Sequence, residues 1–214
     1  AGADSRLTLA CVLPYRDRFE FFTYGGGKRS LRRDAAVGSR IARRFGLAHR
    51  TLAPADAAVD PAVGRSMATN ALARHGRGVV QACVDAFGVD RKRHIRSNIA
   101  EFFLNSDLDT YAGRVGVELA DHSAAAAVYG AMAKADAASL PTIAAAFAAW
   151  AAHGRVAESR IAFRDVLFVE FRMAGWMSNV LNESDCCFDT LIPFNTREIF
   201  GLAAATPLSE RRQG

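Results

Sequence analysis

Lysine is scarce in this chain: Lys28, Lys92 and Lys134 are the only three among 27 basic residues, and every other cation is arginine. Cysteine is sparse as well. Cys11, Cys83, Cys186 and Cys187 form no Cys-x-x-Cys pair and no interleaving with histidine at ligand spacing, which argues for reduced thiols and against a zinc site or a disulfide framework. No uninterrupted apolar stretch is long enough to span a bilayer, since the alanine-rich segments 124–138 and 143–152 are broken by polar residues or too short. No signal peptide opens the chain, so a cytoplasmic location without membrane contact is expected. There is no internal repeat.

What is present is enough for a real core: 214 residues, half of them hydrophobic, make one large domain or a domain with a subdomain. The net charge of +5 draws attention to nucleic acid. The clusters around Lys28-Arg29, Arg32-Arg33 and Arg91-Lys92-Arg93-His94 lack interleaved aromatic residues for base stacking, however. They read as solvated helix faces, and a nucleic-acid partner is not expected.

The stretch AGADSR, residues 1–6, precedes the apolar run 7–13. A glycine-bearing turn entering a helix leaves backbone N–H groups unpaired where the macrodipole also favours negative charge, which suits a phosphate. Asp4 is then the odd residue, because a carboxylate beside a phosphate is repulsive unless a cation lies between them, and Mg²⁺ is the usual one. Asp4 or Ser5 as a plain helix cap is the competing reading.

Hydrophobic periodicity predicts a helix over 4–13, a strand over 19–24, a helix over 32–45 stopped by Gly46, and a strand over 48–52. Helix and strand alternating with short connections imply parallel strands and an α/β class. A parallel sheet of this kind also needs a strand leading into the 1–6 turn, so the chain reads as a piece of a larger protein whose first strand is missing. Beyond Pro61 the pattern is mostly helical: 63–75, 79–87, a strand-like 94–98, a helical restart at 100–105, and an alanine-rich helical stretch 122–152 broken at Pro141. A long helix over 160–181 carries a stripe of Phe163, Leu167, Phe168, Phe171, Met173 and Trp176, which reads as core packing. Residues 188–194 read as extended, with Asn195 capping a last helix to 205. The glycines 25–27 before Lys28 are not a kinase-type phosphate loop, because position 22 is Phe and position 29 is Arg.

Three distant segments agree with one family. AGADSR resembles the Ser-Gly-Gly-x-Asp-Ser pyrophosphate loop of the N-type ATP pyrophosphatases. FEFFTYG (19–25) and RRDAAVGSRIARRFGLAHRTL (32–52) are similar to the second strand, second helix and third strand of asparagine synthetases, with Asp34 opening the helix and the Gly46-to-His49 step closing it. EFRMAGWM (170–177) and DTLIPFNTREIFGLAAATP (189–207) resemble that family's C-terminal segments.

The resemblance implies an α/β fold in which helices sandwich a parallel sheet, a Rossmann-like ATP pyrophosphatase core over 1–120 completed by a largely helical part over 121–214. It implies an ATP-dependent, amide-forming ligase that activates a small carboxylate as an acyl-adenylate and releases pyrophosphate, with ATP and Mg²⁺ as cofactors. Gly2, Ala3, Ser5 and Arg6 would cradle pyrophosphate, Asp4 would hold Mg²⁺, and Thr23, Tyr24 and Gly25 would meet adenine. Arg172 is the candidate distal cation, and Glu101 matches the last acid of the family's Gly-Glu-Gly-x-Asp-Glu segment. Ala100 stands where that segment has its Mg-binding Asp, and Ser97 where it has the earlier Glu, with Asp107 and Asp109 as substitute acids. A glutaminase half is absent from these residues and is expected upstream or as a partner. A degenerate relative that keeps the fold as a scaffold is the alternative.

Overall fold

The computed structural model describes residues 2–54, 59–71, 76–90, 92–98, 106–154, 156–159 and 161–211. It is mostly helical and contains two parallel strand pairs. Two compact units divide the chain, one comprising residues 1–98 and 176–193, the other 99–175 and 194–214.

The first unit begins with α1 (Ala3–Val12), which continues as a 3-10 turn over Leu13–Arg18. Pro14 sits in the first positions of that turn, where its missing N–H costs nothing, and α1 ends just before it. Then follow β1 (Phe21–Tyr24), α2 (Arg29–Phe45) and β2 (His49–Leu52). Gly46 ends α2 as expected, in the left-handed region at φ +63, with its N–H donating to the Ala42 carbonyl. β1 and β2 pair in parallel, Phe21 opposite His49 and Tyr24 opposite Leu52.

Alternation along β1 decides what each face meets. Thr23 faces α2, where Gly38 lets the helix approach: a Cβ at Gly38 would lie 2.5 Å from Thr23 Oγ1. Phe22 and Tyr24 point the other way, into a core of Leu52, Ala82, Cys83, Phe87, Cys187 and Phe188. Half of that core comes from α4 (Arg77–Phe87), which follows α3 (Pro61–Asn70). Asp60 caps α3 by accepting from Ala62 N–H at 2.6 Å, with Pro61 at the first turn. β3 (Lys92–Ile95) pairs in parallel with a strand from late in the chain, Lys92 opposite Phe188 and Ile95 opposite Leu191.

In the second unit α5 (Ser106–Val115), α6 (His122–Ala133) and α7 (Leu140–His153) surround Leu108, Ala112, Ala125, Ala126, Val128 and Phe147. Asp121 caps α6 by accepting from Ala124 N–H, and Lys134 closes it with φ +51. The alanine-rich stretch is not broken at Pro141, which begins α7. The break lies earlier, in a turn where the Asp136 carboxylate accepts from both the N–H and the hydroxyl of Ser139.

The predicted long helix is a composite: α8 (Phe163–Leu167), a π-helical stretch over Phe168–Met177, and α9 (Ser178–Ser184). As expected of a core stripe, Leu167 and Phe168 are buried, with Phe163, Phe171 and Met173 packed around them. β4 (Phe188–Leu191) is shorter than the extended segment expected. In α10 (Arg197–Ala205) the cap is Thr196, whose hydroxyl accepts from Ile199 N–H at 3.3 Å, not Asn195 as the sequence suggested. The last helix is α11 (Leu208–Arg211).

Candidate functional site

Gly2 is extended (φ −72, ψ −176) and offers no side chain to cap α1, so the first-turn N–H groups face outward without a side-chain acceptor. Ser5 and Arg6 are exposed, and Arg6 Nε donates back to the Gly2 carbonyl at 3.3 Å. Asp4 is half-buried in this first turn, where the macrodipole favours an anion. Its carboxylate folds over Gly2: a Cβ there would lie 3.3 Å from Asp4 Oδ1. One oxygen donor beside outward N–H groups fits Mg²⁺ carried by a phosphate ligand, because that ion takes one or two carboxylates and completes its shell with phosphate oxygens and water. The N-cap of α1 is Gly2, which makes no side-chain cap bond, so neither Asp4 nor Ser5 occupies the capping position.

The second cluster of predicted residues lies at the carboxyl end of β1. Thr23 Oγ1 is 3.0 Å from His49 Nε2, and Gly25 N–H donates to the Leu52 carbonyl at 2.6 Å, extending the ladder past the strand. The backbone of Gly25 is thereby engaged, and Gly25 is buried. Among the described residues no hydrogen bond, ion pair or ring contact joins residues 2–6 to residues 23–25.

Tyr24 opens into a cavity of about 200 Å³ whose polar lining the sequence did not single out: Cys83, His94, Arg96, Glu183 and Cys187. Tyr24 Oη lies 3.7 Å from Cys83 Sγ. Burial, and then the adjacent Cys83, push the Tyr24 phenol well above its ordinary value, so it remains a hydroxyl at neutral pH. The Cys83 thiol shifts the other way, favoured as thiolate by hydrogen bonds from Cys187 and Tyr24 and by the Arg96 charge. Burial and the Arg96 charge lower His94 to about 4, which leaves a neutral imidazole. Arg96 orients by donating from Nε to Asn98 Oδ1 at 2.9 Å. The cavity therefore combines a guanidinium, a neutral ring and hydroxyl and thiol donors at the carboxyl ends of β1 and β3. That is where open parallel sheets bind ligands, and it is the signal that could have found Arg96, the first residue past β3.

The remaining candidates belong to the second unit or fall elsewhere. Arg172 lies on the π-helical stretch, where its charge works against the burial that raises Tyr129 to about 12. π-Helical segments recur at functional sites. Asp109, one of the substitute acids, forms an ion pair with Arg164 at 2.8 Å. Ser97 follows β3 and is half-buried. Ala100 and Glu101 lie outside the described residues, as do Ala1 and the Ala3 side chain.

Comparison of the chain with protein-family models, with curated proteins and with solved structures finds no match.

Proposed function

We propose that the protein is an ATP-dependent, amide-forming ligase of the asparagine synthetase type, activating a small carboxylate by attack on the α-phosphorus of ATP. The observation that carries this is the N-terminus of α1, with its uncapped N–H groups and the Asp4 carboxylate folded against Gly2. In this reading the Gly2 turn and Arg6 hold the leaving pyrophosphate, and Asp4 would hold Mg²⁺, which would supply positive charge against the phosphates. Thr23, Tyr24 and Gly25 orient the adenine. Catalysis of this kind is mostly positioning and electrostatic stabilisation by donors already in place.

The reading includes one sheet. Phe22 on β1 lies 5.4 Å, ring to ring, from His94 on β3, and Tyr24 lines the same cavity as Arg96. Equal steps along β1 and β3 thus meet equal partners, which supports the two pairs running in the same sense. We place them as parts of one parallel sheet with helices on both faces.

The test is calorimetry with ATP, with and without Mg²⁺, on the wild-type chain and Asp4→Ala, together with carboxylate-dependent exchange of pyrophosphate into ATP. Mg-dependent binding that is lost in Asp4→Ala, with exchange for some carboxylate, is expected. Equal binding in all four combinations overturns the nucleotide site. Ala100 at the position of a family Mg ligand favours a second reading, a degenerate relative that binds nucleotide without turnover; Mg-dependent binding without exchange would select it.

A further inference from the structure

The outer face of α2 carries six arginines, Arg29, Arg32, Arg33, Arg40, Arg43 and Arg44, all exposed. At about 100° per residue they fall within a stripe roughly 120° wide and about 22 Å long. Opposite them the helix turns Ala35, Gly38 and Ala42 inward, toward Gly25, Thr23 and the core. In the sequence these arginines look like separate clusters; the helix joins them into one line. Arg32 donates to the Gly27 carbonyl, and the other five make no hydrogen bond or ion pair among the described residues. The helix's one acid, Asp34, lies about 140° round from Arg29.

This arrangement works against the helix. Arg29, Arg32 and Arg33 oppose the macrodipole in the first turns, and Arg29 with Arg32 and Arg33, and Arg40 with Arg43 and Arg44, are repelling like charges at i,i+3 and i,i+4. A face that only solvates mixes both signs. A polyanion would turn each of these repulsions into an attraction.

We infer that the α2 arginine stripe binds the phosphate backbone of a nucleic-acid duplex without reading its sequence. Charge density favours that occupant. The six guanidiniums form two triplets, at 29–33 and 40–44, along about 22 Å of helix, and a duplex presents one negative charge per about 1.7 Å of its axis. An extended acidic peptide turns only alternate side chains to one side, one carboxylate per ~6.8 Å. Guanidinium forks suit phosphate oxygens, and between the arginines there is only Ala36, with no aromatic, Asn or Gln to address base edges. The inference is independent of the nucleotide site on α1.

The experiment is fluorescence anisotropy of a labelled 20-base-pair DNA duplex titrated with the full chain between 50 and 200 mM NaCl. With five free arginines engaged, log K should fall with log salt at a slope near −4.5, a loss of about 10²–10³-fold across that range. Arg33→Gln/Arg40→Gln/Arg44→Gln should make the slope shallower by nearly 3, with an unchanged circular dichroism spectrum. The same three positions changed to Lys should keep the slope, and Arg16→Gln/Arg18→Gln, exposed but outside α2, should leave it unmoved. Failure to bind at 50 mM NaCl, a slope that the triple Gln variant does not change, or competition by polyglutamate as strong as by unlabelled duplex would each overturn the inference.

Discussion

The imidazole of His94 packs against the ring of Phe188 with centroids 4.6 Å apart, joining neighbouring strands β3 and β4 across the face covered by α4. Phe22 closes on both rings, at 5.4 and 6.2 Å. Ring pairs at such distances contribute beyond their buried area. A titratable ring thus sits among aromatic residues, and its proton equilibrium is tied to folding.

Acid should therefore weaken the first unit through His94. Its folded value, about 4, lies below the unfolded value near 6.5, so between them the unfolded chain binds more protons. The stabilising contribution is full above pH 6.5 and declines as pH falls toward 4, by roughly 3 kcal/mol in total. His94→Phe keeps the stacking, removes a buried Nδ1 that has no hydrogen-bond partner, and should flatten this limb. His49, also lowered by burial, leaves a residual slope of the same sign. Urea midpoints from pH 7 to pH 4 measure it; parallel curves for wild type and variant would exclude His94.

Gly38 should resist replacement even though it lies inside a helix. Alanine there gains up to about 1 kcal/mol of helix propensity, but its Cβ would be 2.5 Å from Thr23 Oγ1 and 3.4 Å from His49 Nε2. Overpacking of this kind costs about 1–3 kcal/mol. Gly38→Ala is expected to lower stability in the wild-type background and to be tolerated beside Thr23→Ala, so a double-mutant cycle should give a coupling of about 1 kcal/mol or more. Additive effects would mean that α2 shifts to make room.

Asp165 and Arg211 form a fully buried two-point ion pair, with contacts of 2.6 and 3.2 Å tying α11 to α8. Arg211→Met alone leaves a buried carboxylate without its guanidinium and should cost about 3–5 kcal/mol, whereas pairing it with Asp165→Leu should return most of that loss. Thermal unfolding of the two variants decides it, and a double variant as unstable as the single would show that the pair does more than neutralise itself.

Local chemistry made much of this fold legible. Gly46 can take the left-handed conformation that ends α2, and the aromatic run within residues 19–24 announced a strand. The failures were also local. Thr196 and Asn195 are both good caps, and only the path of the chain into α10 chose between them. Pro141 breaks a helix from within but begins one from its first turn, and the Asp136–Ser139 turn that precedes it put it there. At the candidate site Tyr24 was legible as a residue at a strand end, whereas Cys83, Glu183 and Cys187 reach its cavity from distant positions in the chain.

The residues alone determined the parallel character of β1 and β2, the amphipathic α2, the carboxylate in the first turn of α1 and the free thiols, because each rests on periodicity, turn chemistry or spacing within a few residues. Tertiary structure decided the partnership of β3 with a strand more than ninety positions later, the neutral state of His94 and the ion pairs of the second unit. Those depend on which surfaces lose water together, and burial of a charge or a ring is a property of the neighbours that packing brings. The arginine stripe belongs to both: the spacing is written in residues 29–44, but its meaning as one exposed, unpaired line follows from the face that α2 gives to the strands.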